Sequence, residues 1–291
     1  MMPEIAAGKD SRWAGLAGAT AVTAYTALFL VAESEKAVLA LLLGAAAAGF
    51  AARRLGLFSR LGASFRAHER FFQGVAVVGV LLLTGIFHED HFILFLMATV
   101  LLYLVATLGL NIQLGYAGVL NFAGASFFGV GCYTAAVLTK ATATPHLLVL
   151  LAGGAAAAVI GSLLILPVLR TSGHYAALVT IAFALLFKTF LEVNDTLGGP
   201  QGLRLDGMRL LGWTFNDNVD LGGLEISFYV SYVLLALLLA ALAFALTRRL
   251  ERSWVGLNMD AVRLDETAAA CFCLDIARWK ITAFTLGNFL A

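Results

Sequence analysis

Eight apolar runs that approach or exceed the roughly 20 residues a helix needs to cross a bilayer limit this chain more than any other feature. They lie near residues 14–32, 37–52, 71–87, 92–113, 116–138, 147–169, 174–193 and 226–247. Hydrocarbon offers no hydrogen bonds, so a spanning segment must satisfy its own backbone, and helices do this within one segment. Only 13% of the 291 residues are charged, about half the share of a soluble domain. The fold class is therefore all-α: a polytopic membrane helical bundle of about 8 complete spans plus a partial one, forming a single membrane domain over 1–291. The partial span is ITAFTLGNFLA at 281–291. Eleven residues rise only about 16 Å, half of a hydrocarbon core. A helix that stops there is expected to continue, and the sequence reads as truncated at its C-terminus.

Charge placement sets the expected orientation. Arg53, Arg54, Arg60, Arg66 and Arg70 crowd one connector, and Arg248, Arg249, Arg252, Arg263, Arg278 and Lys280 crowd another. By the positive-inside rule both are cytoplasmic. Six runs separate them, an even number, so the two assignments agree. Arg170 then falls inside, the polar stretch 194–225 outside, and the N-terminus with Lys9 and Arg12 in the cytoplasm. The basic connector is read as touching anionic lipid; nothing supports nucleic-acid binding. The first run is longer than a signal-peptide core and lacks a clear cleavage site, so it reads as a retained anchor helix.

Within this pattern Gly109 to Thr139 is exceptional. It is apolar, yet it holds glycines at 109, 115, 118, 124, 129 and 131 and the amides Asn111, Gln113 and Asn121. Polar side chains at membrane depth face protein or a watery path. Asn111, Gln113, Gly118, Asn121, Gly124 and Ser126 are therefore candidates to line a translocation path. If 116–138 is one helix, Ala117, Asn121, Gly124, Phe128, Gly131 and Ala135 share a face of small residues that admits a neighbouring helix. Lys188 and Glu192, four apart, read as a snorkelling interfacial pair.

Other clusters carry less. His88-Glu89-Asp90-His91 holds four metal-capable side chains, but adjacent turn residues converge poorly on one ion, and no metal site or cofactor is assigned. Cys271 and Cys273 lack two further ligands at zinc spacing, and with Cys132 they read as small fillers. No phosphate-binding loop, nucleophile elbow or His-Glu-x-x-His is present, so the chain is not read as an enzyme and has no ATP site of its own. The connector Glu251–Lys280 reads as amphipathic, helical around Asp265–Phe272, and suited to dock on a soluble partner.

Leu108-Gly-Leu-Asn-Ile-Gln-Leu-Gly-Tyr-Ala-Gly-Val-Leu-Asn121, followed by Gly124-Ala-Ser-Phe-Phe-Gly129-Val-Gly-Cys-Tyr-Thr134, resembles the core signature of branched-chain amino acid ABC transporter permeases. Gly173 to Phe183 and Gly198-Gly-Pro-Gln-Gly-Leu203 resemble two further blocks, particularly of the M-type permease. Ala261-Val-Arg-Leu-Asp-Glu-Thr-Ala-Ala269 resembles the loop that contacts the ATPase. The resemblance covers about residues 100–291; the first hundred residues are not covered. It implies a permease core over 101–291, with a coupling loop near 248–280, in a multi-pass protein of the cell inner membrane. It implies half of a heterodimeric pore, made with a second permease subunit. Its other partners would be two ATP-binding subunits, which hydrolyse the ATP, and a periplasmic or extracellular substrate-binding protein. Arg263, Asp265, Glu266, Ala268 and Ala269 would form the ATPase contact. Urea or short amides are the alternative substrates within the family, and a stand-alone secondary transporter the alternative from another class. Cys273 stands where the family usually has Gly, Leu185 near where it often has Glu, and Lys188 near where it often has Arg.

Overall fold

The computed structural model describes residues 9–32, 34–142, 144–169, 174–205, 207–210, 213–221 and 224–291. Arg170 and the opening Gly173 of one resemblance block lie outside them. The described residues form α1 (Lys9–Val31), α2 (Glu35–Arg54), α3 (Leu57–Ala67), α4 (Glu69–Ile86), α5 (His91–Asn111), α6 (Gly124–Ala141), α7 (His146–Leu169) and α8 (His174–Val193). After a polar stretch come α9 (Tyr229–Glu251), α10 (Trp254–Leu264), α11 (Glu266–Cys271) and α12 (Ile276–Leu290). By length and composition six helices suffice to cross a membrane: Glu35–Arg54, Glu69–Ile86, His91–Tyr116, His146–Leu169, Tyr175–Val193 and Tyr229–Glu251. The polytopic all-α class holds. Of the other two expected spans, the apolar part of α1, Gly15–Val31, is shorter, and α6 has 18 residues.

The chain divides into two compact units. The first holds residues 1–94 and 221–230. Here α1 and α4 run side by side in the same direction. A Cβ on Gly15 would fall 2.2 Å from Phe72 and one on Gly79 3.0 Å from Thr23, so small residues set the approach. The amphipathic α3 packs on both, with Ser64 beside Gly15 and Leu61 beside Gly18. The Tyr25 hydroxyl donates to the Leu41 carbonyl at 3.1 Å and ties α1 to α2. The turn after α4 separates its metal-capable residues. His88 Nδ1 meets the Gly85 carbonyl, while the His91 ring sits edge-on to Phe228 and Tyr229.

The second unit, residues 95–220 and 231–291, contains the larger core. α7 is its hub, packed on both α6 and α12. Its Gly- and Ala-rich sequence makes this possible. Cβ atoms on Gly153, Gly154 and Gly161 would lie 3.0 Å from the Gly131 carbonyl, 2.9 Å from the Phe289 carbonyl and 2.1 Å from the Asn288 amide. Phe127, fully buried, stacks on Phe183 at 5.3 Å and meets Phe284 edge-on at 5.8 Å, which joins α6, α8 and α12. Lys188 and Glu192 pair at 3.6 Å on the exposed face of α8.

One expectation about this unit needs correction. Residues 116–138 are not one helix. α5 continues through a π-helical turn, Ile112–Tyr116, and α6 begins only at Gly124. Residues 118–123 between them are not helical, so neither Ala117, which closes the first helix, nor Asn121, which lies in the break, can share a helical face with Gly124. The polar stretch after α8 has local structure of its own. Gly198, Gly199 and Gly202 all take positive φ, which suits glycine alone. A short ribbon follows, with β1 (Arg209–Leu210) antiparallel to β2 (Trp213–Thr214). Strands β3 (Val219–Leu221) and β4 (Leu224–Ile226) lead into α9. Tyr232 of α9 accepts from the Met208 N–H at 3.1 Å and meets the buried Phe215 ring edge-on.

The close approach of α12 to the end of α5 is testable. A Cβ on Gly287 would lie 2.5 Å from both Gln113 Nε2 and the Gly109 carbonyl, whereas one on Gly49 meets nothing within 4 Å. Gly287→Ala is expected to lower the thermal unfolding midpoint in detergent by several degrees, since overpacking costs about 1–3 kcal/mol. Gly49→Ala is expected to be neutral or to stabilise by up to about 1 kcal/mol.

Candidate functional site

The non-helical stretch 118–123 must satisfy the backbone groups that leaving the helix sets free. Three amides do this work. Gln113 is buried, with its Nε2 donating to Asn288 Oδ1 at 2.8 Å and to the Phe284 carbonyl at 3.2 Å. Its Oε1 accepts from Asn121 Nδ2 at 2.7 Å, and Asn121 also reaches Asn288 Oδ1 at 3.3 Å. Asn121 Oδ1 in turn accepts from the Ala123 N–H at 2.8 Å, just before α6 begins. The Gln113 main-chain carbonyl takes the Val119 N–H at 2.9 Å. Thr180 of α8, fully buried, accepts from the Phe122 N–H at 3.2 Å. The break is thus held by side chains from α8 and α12 as well as by its own.

The residues singled out in the sequence take different places around this clamp. Gln113 and Asn121 form it. Gly118 makes the turn, with φ +67°. Asn111 is exposed, its carboxamide lying against Gly115. Gly124 opens α6 beneath Leu110, where a Cβ would be 3.0 Å from the leucine side chain. Ser126 is buried in the first turn of α6. Asn288, the acceptor shared by two donors, was not among the candidates. Its signal was present, an amide beside a glycine in an otherwise apolar run, the same pattern that drew attention to residues 109–121. Ser162 and Thr285, bonded at 2.7 Å between α7 and α12, were missed likewise.

The connector after α9 is built from caps. Gly256 sits where a Cβ would strike the Leu250 carbonyl at 2.3 Å, and this permits the sharp turn from α9 into α10. Ser253 caps α10, accepting from the Gly256 N–H. Asp265 caps α11, accepting from Thr267 and Ala268 N–H at 2.8 and 3.0 Å, and Asp275 caps α12. Such caps contribute about 1 kcal/mol each. The helix expected around 265–272 is α11, with Asp265 as its N-cap and Phe272 as its C-cap, and a separate helix, α10, precedes it. Arg263 pairs with Asp260, and Glu266 accepts from Lys280 Nζ at 2.6 Å, linking α11 to α12. Ala268 is exposed, whereas Ala269 is buried against the core. Phe272 is 82% exposed and Leu264 72% exposed, leaving two large apolar side chains open on this surface.

The connector and the broken helix touch. A Cβ on Gly118 would meet Arg263 Cγ at 3.2 Å, so only glycine lets the α10 arginine lie over the turn. Tyr116, at the end of the π-helical turn, hydrogen-bonds Glu251 at the end of α9.

α11 ends in a Schellman motif. The Leu274 N–H bonds the Ala269 carbonyl and the Cys273 N–H bonds the Ala270 carbonyl, at 3.1 and 2.9 Å. The left-handed position this motif requires is held by Cys273, with φ 60°, where the resemblance leads one to expect glycine. A side chain there costs about 1–2 kcal/mol.

Two predictions follow from this geometry. Cys273→Gly is expected to raise unfolding stability in detergent by about 1 kcal/mol, and Cys273→Val to lower it. Gln113→Leu leaves the half-buried Asn121 and the buried Asn288 amides short of partners, at about 1–3 kcal/mol per unsatisfied buried group. Adding Asn288→Leu should therefore cost less than the sum of the two single changes. Strict additivity in chemical denaturation would show that the amides do not act as one network.

Comparison with known proteins agrees with this architecture. Residues 92–291 match the family described as "Branched-chain amino acid transport system / permease component". The chain is 33% identical over 205 residues to the high-affinity branched-chain amino acid transport system permease protein LivM of Salmonella typhimurium, which covers 66% of this chain and 48% of the relative. It is 32% identical over the same length to the LivM protein of Escherichia coli, with the same coverage. The chain thus spans about half the length of the curated relatives it matches. No solved structure matches. The matched region takes in the amide clamp, the connector helices and the turn where they meet, and the chain belongs to the family of branched-chain amino acid transport permeases.

Proposed function

We propose that this chain is a permease subunit of an ABC importer of the inner membrane and contributes one half of its pore. The branched-chain amino acid named for the relatives is the proposed substrate class. A second permease subunit completes the pore, a periplasmic or extracellular binding protein delivers the ligand, and two ATP-binding subunits supply the energy. The basic connectors and the N-terminus face the cytoplasm, as positive charge requires.

One observation carries this reading: the connector lies directly against the break in the spanning helix, with Arg263 over Gly118. A push on α10 and α11 from the cytoplasm meets the one place where a spanning segment is already non-helical and held by side chains. A subunit without its own nucleotide site needs such a contact, because alternating access is driven by differential binding to two states. Phe272 and Leu264, exposed beside the Asp265 cap, present an apolar surface for an ATPase groove. Asn111, Gly118, Asn121, Gly124 and Ser126 then border the path. Gln113, buried and bonded on both sides, fixes the shape of the break.

Glu266 gives the test. It is expected to carry motion from α11 to α12 through Lys280. In proteoliposomes with the full set of partner subunits, Glu266→Lys should abolish most ATP-driven uptake with normal membrane insertion. Pairing it with Lys280→Glu should recover at least about half of the uptake. The exposed pair is worth at most about 1 kcal/mol, so stability should barely change in either variant. Unchanged uptake in Glu266→Lys would overturn the coupling role.

A further inference from the structure

Apart from the broken helix, the first unit contains a groove of about 800 Å³ between α1 and α4. Its lining is almost wholly apolar, from Leu16, Ala19 and Ala27 on one side and Val75, Val78 and Leu82 on the other. The two α1 hydroxyls in the wall are already engaged. Thr20 donates to the Leu16 and Ala17 carbonyls, and Thr23 donates to the Ala19 carbonyl. The wall therefore shows methyl groups and no free polar atom along this helix, which excludes water or a polar solute as a matching occupant.

One end differs. Arg70, in the first turn of α4, is the one charged residue in the lining, and it has no ion pair among the described residues. The same end carries α3, which meets α1 at Gly15 and Gly18. α3 exposes Phe58 and Phe65 and bears Arg60 and Arg66 in its sequence. A short basic helix with exposed aromatic residues lies in the headgroup layer of a membrane. From Arg70 to Ile86 the groove follows α4 for about 24 Å, more than the 15 Å depth of one hydrocarbon leaflet. An apolar trough of leaflet depth with an unpaired guanidinium at its headgroup end matches one ligand in shape and charge.

We propose that the α1–α4 groove holds an acyl chain of an anionic phospholipid, with the headgroup phosphate on Arg70. Arginine suits this because its fork donates two parallel hydrogen bonds to phosphate oxygens. The groove exists because its wall is short of side chains: Gly74 lies in it, and a Cβ there meets nothing within 4 Å. A larger residue at 74 therefore fills the trough without striking the protein.

The test uses the full chain in detergent, titrated with phosphatidylglycerol or with phosphatidylcholine of the same acyl chains, and read by native mass spectrometry. The wild type should retain phosphatidylglycerol in preference. Gly74→Leu should weaken retention of both lipids at least about tenfold. Gly85→Leu, on the same helix and equally open but outside the groove, is the folding control and should leave retention unchanged. Arg70→Gln should weaken phosphatidylglycerol alone, about fivefold, as expected for one basic residue at an anionic surface. Equal retention of the two lipids by the wild type overturns the proposal, and so does undiminished retention in Gly74→Leu. A photo-crosslinker at position 78 that captures a polypeptide instead of lipid would assign the groove to a protein partner and overturn it too.

Discussion

Lipid cannot hydrogen-bond a broken helix, and the second unit is arranged around that fact. Where the helix gives way after Ala117, six residues run on without helical bonding. Their groups are met by a small set of side chains centred on Gln113, which donates twice, accepts once and lends its main-chain carbonyl to Val119. In a low-dielectric interior the members of such a network strengthen one another, although the buried Asn288 Nδ2 has no hydrogen-bond partner among the described residues. The need for these bonds explains why α12 lies against the π-helical turn. Asn288 can serve as acceptor only if the two backbones come close, and glycine at both 109 and 287 lets them. The small residues of α7 then follow, because a helix packed on α12 at the level of Asn288 needs Gly161 to clear the amide.

The same contacts close a circuit with the connector after α9. Gly118 lies under Arg263 of α10, and α10 passes through the Asp265 cap into α11. Glu266 of α11 binds Lys280 of α12, and α12 returns through Asn288 to Gln113 beside the break. Every link is a close approach, a hydrogen bond or an ion pair. A force applied at α11 therefore reaches the break from two sides, through the turn at Gly118 and through the far end of α12. That closed arrangement suits the coupling role proposed for the connector. Apolar contact alone is non-directional, whereas caps and paired charges fix which groups move together.

Local chemistry in this chain was readable from its sequence, and long-range pairing was not. Apolar run lengths placed the helices, and Ser253, Asp265 and Asp275 ahead of α10, α11 and α12 are ordinary capping residues. The glycines at 198, 199 and 202 announce positive φ. By contrast, residues 116–138 read as one helix because their composition is apolar and their small residues fall at helical spacing. Nothing local reveals that Asn121 spends its oxygen on the Ala123 N–H and its nitrogen on Gln113. Asn288 was overlooked for the same reason. Its bonding partners precede it by 167 and 175 residues, and the segment around it looked like a fragment of a spanning helix. An amide in an apolar run says that a partner exists but not where.

Cys273 shows how departures from the family pattern distribute their cost. A glycine at the left-handed position ends α11 without strain, and the cysteine pays about 1–2 kcal/mol for its side chain there. The Schellman bonds form all the same, so the turn into α12 keeps its shape. The strain therefore sits in an exposed joint between two short helices, several residues from the Glu266–Lys280 pair and at the opposite end of α12 from the amide clamp. A similar cost at Gly287 or Gly118 would push apart groups that have no alternative partner. At Cys273 both flanking helices keep their N-terminal caps, and solvent reaches the side chain. Tolerance at that position, against the tight fit at Gly118 and Gly287, follows from what each residue touches: water in one case, and a buried amide or an arginine laid across a turn in the others.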